Sequence, residues 1–151
     1  MNKDQLTAKL IPKADGKILS GVQDQIGYLV INNPERYNAM SLEMWEAAAE
    51  AIDAMAVDPE VRVLVVTGTG GKAFVSGADI SKFGKERSSQ EAVDHYAKVS
   101  GGCYDALEHF PKPTIAAIKG FCIGGGLNLA VCCDMRIAEE KSRFGVPAAK
   151  L

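Results

Sequence analysis

At 151 residues, 47% hydrophobic and 24% charged, the chain has the size and balance of one domain that buries its own core. Seventeen Lys and Arg against nineteen Asp and Glu leave a formal charge of −2, and the basic residues are scattered, which excludes the basic stripe of a nucleic-acid partner. No window reaches the roughly 18 apolar residues needed to cross a bilayer, and MNKDQLTAKLIPKADG interleaves charges where a secretory leader would be apolar, so the expectation is a cytoplasmic protein with no membrane partner.

Residues 1–16 read as a flexible or loosely packed tail on a single domain covering residues 1–151. KILSGV at residues 17–22 and IGYLVIN at residues 26–32 are β-prone runs separated by the turn residues Gln23, Asp24 and Gln25, which predicts a hairpin. Asn33 and Pro34 stop the second strand. Ser41 is placed to cap a helix in which Leu42, Trp45, Ala49, Ile52 and Ala56 recur at helical spacing, and Asp58-Pro59 ends it. VRVLVVT at residues 61–67 then reads as a strand covered on both faces.

Past Asp79 a polar loop leads to a second helix between Ser89 and Phe110, with Gly101 and Gly102 expected to break or bend it. TIAAI at residues 114–118 is a short apolar strand. It runs into three glycines, a helix over residues 127–133 and the strand-like MRIA at residues 135–138. Strands alternating with helices predict an α/β domain built from crossover units.

Two glycine-rich segments invite a phosphate-binding interpretation, and neither sustains it. Gly68, Gly70 and Ala73 satisfy G-x-G-x-x-A after a strand, but more β-prone residues follow where a dinucleotide turn must open a helix. The phosphate-loop pattern fails at Val66 and Ala73. A different possibility is that two turns supply main-chain amides to one site. The turn at residues 76–79 would expose the amide of Ala78, and residues 124–126 lead into a helix whose first amides lack internal partners. Two such donors aimed at one oxygen make an oxyanion hole. Close packing of helix on sheet explains the triple glycine equally well, and both explanations stand at this point.

Cys103, Cys122, Cys132 and Cys133 lack the spacing of a zinc site or disulfide framework and read as reduced, buried thiols; no metal is expected. His95 and His109 announce neither a triad nor a metal site and read as surface or capping residues. Asp79 and Asp134 read as turn or network carboxylates.

Four segments together, KAFVSGADI at residues 72–80, KPTIAAIKGFCIGGG at residues 112–126, CDMRIA at residues 133–138 and FGVP at residues 144–147, resemble the enoyl-CoA hydratase/isomerase, or crotonase, family. The similarity runs from about Gly27 to the last residue. It implies a crotonase-like α/β spiral of β-β-α units, an acyl-CoA thioester as ligand and no separate cofactor, since coenzyme A belongs to the substrate. By the same resemblance the amides of Ala78 and Gly125 form the oxyanion hole for an enolate. Arg36, Asn38, Ala39, Ser76, Gly77, Asp79, Ile80 and Gly124 then line the path of coenzyme A and pantetheine.

Two departures limit what is carried over. Where hydratases of this family have a general acid/base glutamate, this chain has Asn128, which orients a water or substrate group or is simply a polar residue on an early helical turn. The family also continues well past Leu151, with helices that complete the pocket and support trimers or hexamers, and with a second catalytic acid. The chain therefore reads as the N-terminal portion of the fold, truncated before those helices. A non-catalytic acyl-CoA-binding or assembly protein is the alternative to an enzyme.

Overall fold

The computed structural model describes residues 9–147. Strands β1 (Ile11–Lys13), β2 (Ile18–Gln23) and β3 (Ile26–Ile31) form an antiparallel meander. Asp24 and Gln25, both at positive φ, make the tight turn that a two-residue hairpin loop requires. β1 contradicts the expected tail: Pro12 pairs with Leu19, and Leu10 is buried against Leu19 and Val30. That apolar contact orders residues whose composition alone reads as loose, while residues 1–8 lie outside the described part.

Helix α1 (Leu42–Val57) starts where Ser41 accepts a hydrogen bond from the Met44 amide. Its buried face is Met44, Trp45, Ala47, Ala48, Ala51, Ile52 and Met55. Leu42, Ala49 and Ala56, expected on that stripe, are only half-buried at its margin. Full burial of a side chain such as Ile52 contributes about 2 kcal/mol. At the far end the Lys112 ammonium donates to the Met55 and Asp58 carbonyls, satisfying acceptors that the last turn leaves open.

The rest of the described chain repeats one unit. β4 (Val63–Gly68) is followed by β5 (Ala73–Val75), the short helix α2 (Phe83–Glu86) and the long helix α3 (Gln90–Glu108). β6 (Thr114–Ile118), β7 (Phe121–Ile123) and α4 (Gly125–Val131) follow, then β8 (Met135–Ala138) and β9 (Arg143–Gly145). The first strand of each pair joins one sheet, in the order β1-β2-β3-β4-β6-β8; the second joins another, in the order β5-β7-β9. From β3 onward the pairings in the first sheet are parallel, as are those in the second. The chain thus advances as a spiral of β-β-α units. Only a loose repeat is visible in the sequence because β5, β7 and β9 have three residues each, too few for a periodic signal.

Leu29, Ile31, Leu64, Val66 and Ala116 of the large sheet share one core with α1, α3 and Val75 and Cys122 of the small sheet. Two expectations fail here. β4 is covered fully on one face only, with Val63, Val65 and Thr67 half-buried on the other. The helix expected between Ser89 and Phe110 runs unbroken through Gly101 and Gly102. Tyr96, Ser100, Cys103 and Leu107 recur on its buried face, and their tertiary packing outweighs the roughly 1 kcal/mol that each interior glycine costs. The polar stretch after Asp79 also folds, into a 3-10 turn over Ile80–Lys82 and then α2.

Candidate functional site

Two clefts meet at Ala78. One, about 290 Å³, is bounded by Trp45, Arg87, Tyr96, Tyr104, Ala78 and Gly125 among others. The second, about 420 Å³, is bounded by Arg36, Ala39, Ser76, Ala78, Asp79 and Ile80 among others.

Main-chain bonding decides where the amide of Ala78 points. Met40 and Ala78 form a parallel bridge in which the Met40 amide donates to the Gly77 carbonyl and the Asp79 amide donates to the Met40 carbonyl. Those flanking groups face Met40, so the N–H of Ala78 faces the opposite way. Gly125 opens α4, and the first amides of a helix have no intrahelical acceptor. Among the described residues, neither the Ala78 nor the Gly125 N–H donates to a protein acceptor. Both residues border the smaller cleft. The two turns also touch: a Cβ built on Gly77 lies 3.4 Å from the Ile123 carbonyl oxygen and 3.9 Å from the Gly125 nitrogen.

The three glycines serve three purposes. Gly124 has φ 54° and ψ −119°, a conformation that side chains oppose, and its amide donates to the Gly145 carbonyl. A Cβ on Gly125 would approach the Tyr104 hydroxyl to 2.9 Å and Trp45 to 3.4 Å, closing the cleft floor. A Cβ on Gly126 would collide with the Val75 carbonyl, so this position serves the close approach of α4 to β5. The two explanations left open by the sequence therefore apply to neighbouring residues.

Arg36, Ala39, Ser76, Asp79 and Ile80 border the larger cleft. Gly77, at φ 110°, and Gly124 shape the turns without bordering either cleft. Asn38 needs correction as a ligand contact. It is fully buried; its side chain accepts from the Asn33 amide at 2.8 Å and donates to the Thr69 and Ala73 carbonyls at 3.0 and 2.8 Å. Both amide hydrogens and the carbonyl oxygen are engaged in fastening the loop after β3 to Thr69 and to the start of β5. Asp79 is also engaged, accepting from the Ser81 amide and hydroxyl at 3.1 and 2.6 Å.

Asn128 is exposed, with its side chain near Tyr104, whose hydroxyl donates to the Gly125 carbonyl at 3.3 Å. Burial raises the phenol of Tyr104 above its ordinary range, so at neutral pH it is a donor. Trp45 lies edge-on to Tyr104, with ring centroids 5.2 Å apart, and donates from Nε1 to the Tyr96 hydroxyl at 2.9 Å. Trp45, Arg87, Tyr96 and Tyr104 were missed as site residues. The helical spacing of Tyr96 with Cys103 marks a buried face, yet nothing local separates a core aromatic from one that walls a cleft.

Burial pushes the thiol of Cys122 up to about 11 and those of Cys103 and Cys133 up to about 12, so they remain protonated. All four cysteines are free, and Cys132 is only half-buried. His95 and His109 are exposed, the latter terminating α3. Asp134 accepts from the Thr114 amide and hydroxyl at 2.8 and 2.9 Å, which joins the starts of β6 and β8. Among the described residues, no helix is long and apolar enough to cross a membrane.

Paired strands that feed two sheets, with two glycine turns between them, define the crotonase fold. An enoyl-CoA hydratase/carnithine racemase structure from Magnetospirillum magneticum superposes with TM-score 0.85 at 40% identity, over 89% of this chain and 50% of that one. The enoyl-CoA hydratase/isomerase family model matches residues 21–151, and the chain belongs to that family. A crotonyl-CoA hydratase from Syntrophomonas wolfei is 38% identical over 129 residues, 85% of this chain and 49% of the relative. A short-chain-enoyl-CoA hydratase from Clostridium acetobutylicum is 36% identical over the same shares. The chain spans about half the length of the curated relatives it matches, which agrees with an N-terminal portion of the fold.

Proposed function

We propose that this chain binds an acyl-CoA thioester and directs the thioester oxygen at the amides of Ala78 and Gly125. The observation that carries this reading is the pair of unengaged N–H groups, from turns distant in sequence, on one cleft. Donors held there offset the negative charge that develops on the oxygen when a neighbouring carbon loses a proton or gains a nucleophile. Coenzyme A enters as part of the substrate, along the cleft bordered by Arg36, Ser76, Asp79 and Ile80. Asn128 does not exchange protons near neutral pH; with Tyr104 it orients a water or a substrate group.

A second reading is acyl-CoA binding without turnover. It is favoured by the smaller cleft, which has no carboxylate on its walls among the described residues. Calorimetric titration with a saturated acyl-CoA, beside spectroscopic assays of hydration and double-bond migration, separates the two: binding with turnover supports the enzyme, and binding alone supports the second reading. Ala78→Pro removes the first donor, because proline has no amide hydrogen. In a folded, active form of the protein that loss is expected to slow catalysis by about 3 kcal/mol. Unchanged turnover in a folded variant would remove Ala78 from the mechanism.

A further inference from the structure

Resting on the acyl-CoA reading, we infer that the acyl group this chain takes carries a carboxylate, which Arg87 receives in the smaller cleft. The thioester at Ala78 divides the ligand between the two clefts, because Ala78 borders both. The larger one, with Arg36, Ser76 and Ser81 on its walls, suits the polar pantetheine arm; the smaller one, with three aromatic residues, then takes the acyl arm.

Among the described residues, Arg87 is the charged one on the walls of that smaller cleft. Its guanidinium carbon lies 3.9 Å from the centroid of Phe83 and 4.3 Å from that of Tyr96. Two rings this close hold the guanidinium in place by cation–π attraction, and its fork of donors matches a planar anion. Arg87 belongs to none of the ion pairs among the described residues. The adjacent Glu86 points elsewhere: both of its carboxylate oxygens accept from the Leu42 amide at 3.2 Å. A cation held by aromatic rings, unpaired, on a cleft that ends at the thioester site is suited to an anionic acyl terminus.

The test is calorimetric titration of the full chain with length-matched pairs, succinyl-CoA against butyryl-CoA and glutaryl-CoA against pentanoyl-CoA, with free coenzyme A alongside. At least one anionic thioester is expected to bind about tenfold more tightly than its neutral partner, the usual scale for a charge-assisted hydrogen bond. Arg87→Gln should bring that ratio toward one, and Arg87→Lys should restore part of it; circular dichroism checks that both variants fold. Equal affinity within both pairs overturns the inference and leaves the acyl-CoA reading intact. It is overturned equally if Arg87→Gln weakens free coenzyme A as much as the anionic thioesters, since Arg87 would then contact a phosphate. No binding by any of these thioesters overturns the acyl-CoA reading itself, and this inference with it.

Discussion

The turn at residues 76–79 is held by hydrogen bonds, whereas the turn at residues 124–126, across the same cleft, adds close backbone packing to its hydrogen bonds with Gly145 and Tyr104. Around the first, Met40 bonds Gly77 and Asp79, the Ser76 amide donates to the Tyr37 carbonyl, and buried Asn38 fastens the loop after β3 to Thr69 and Ala73. Around the second, Gly126 packs on the Val75 carbonyl and Gly125 lies under Trp45 and Tyr104. Directional bonds leave the Ala78 amide pointing away from Met40; close packing fixes where α4 begins. One cleft therefore depends on two kinds of interaction, and different substitutions should break each.

Gly126→Ala should have the largest effect. Its Cβ would meet the Val75 main chain, which cannot move without disturbing β5, so a loss of about 3 kcal/mol or more is expected in urea unfolding. A loss below about 1 kcal/mol would show that this turn is not set by packing. Asn38→Ala tests the bonded side. Leaving the buried Ala73 carbonyl without its side-chain donor should cost about 2 kcal/mol, measured the same way, with Gly126→Ala and Asn38→Ala additive if the turns are independent.

Asp134→Asn probes the base of the same spiral through pH. Hydrogen bonds from Thr114 lower the pKa of Asp134 below its ordinary value, so the carboxylate stabilises the fold above the unfolded-state pKa, and this contribution is lost as pH falls through the depressed folded value. Thermal melts should show the variant less stable than the parent at neutral pH, with the gap closing in acid. A gap independent of pH would assign the effect to packing. The smallest effect, and a stabilising one, is expected from Gly102→Ala. The added Cβ meets nothing within 4 Å, and a helix-interior alanine should add about 0.5–1 kcal/mol, which denaturant midpoints would register.

Much of this architecture was legible locally. Ser41 capped a helix, Asp58-Pro59 ended it, and the hairpin turned at Asp24 and Gln25, because capping and turn conformations are decided within a few residues. The four quoted motifs also carried the family. What failed locally were β1, whose order comes from Leu10 packing on Leu19 and Val30, and the break at Gly101 and Gly102, which the packing of α3 overrides. Asn38 failed for a related reason: its position within a motif says nothing of whether its amide faces a ligand or the Ala73 carbonyl.

From periodicity and turn residues came most of the elements, since these follow from interactions between near neighbours along the chain; the class of chemistry to look for came from the resemblance of four motifs to a family. The separate duties of Gly124, Gly125 and Gly126, the outward direction of the Ala78 amide and the arrival of Arg87 beside Tyr96 on the smaller cleft became visible in the folded chain alone. Each depends on through-space partners, such as Val75 with Gly126 or Met40 with Ala78, that the sequence keeps far apart and the fold brings into contact.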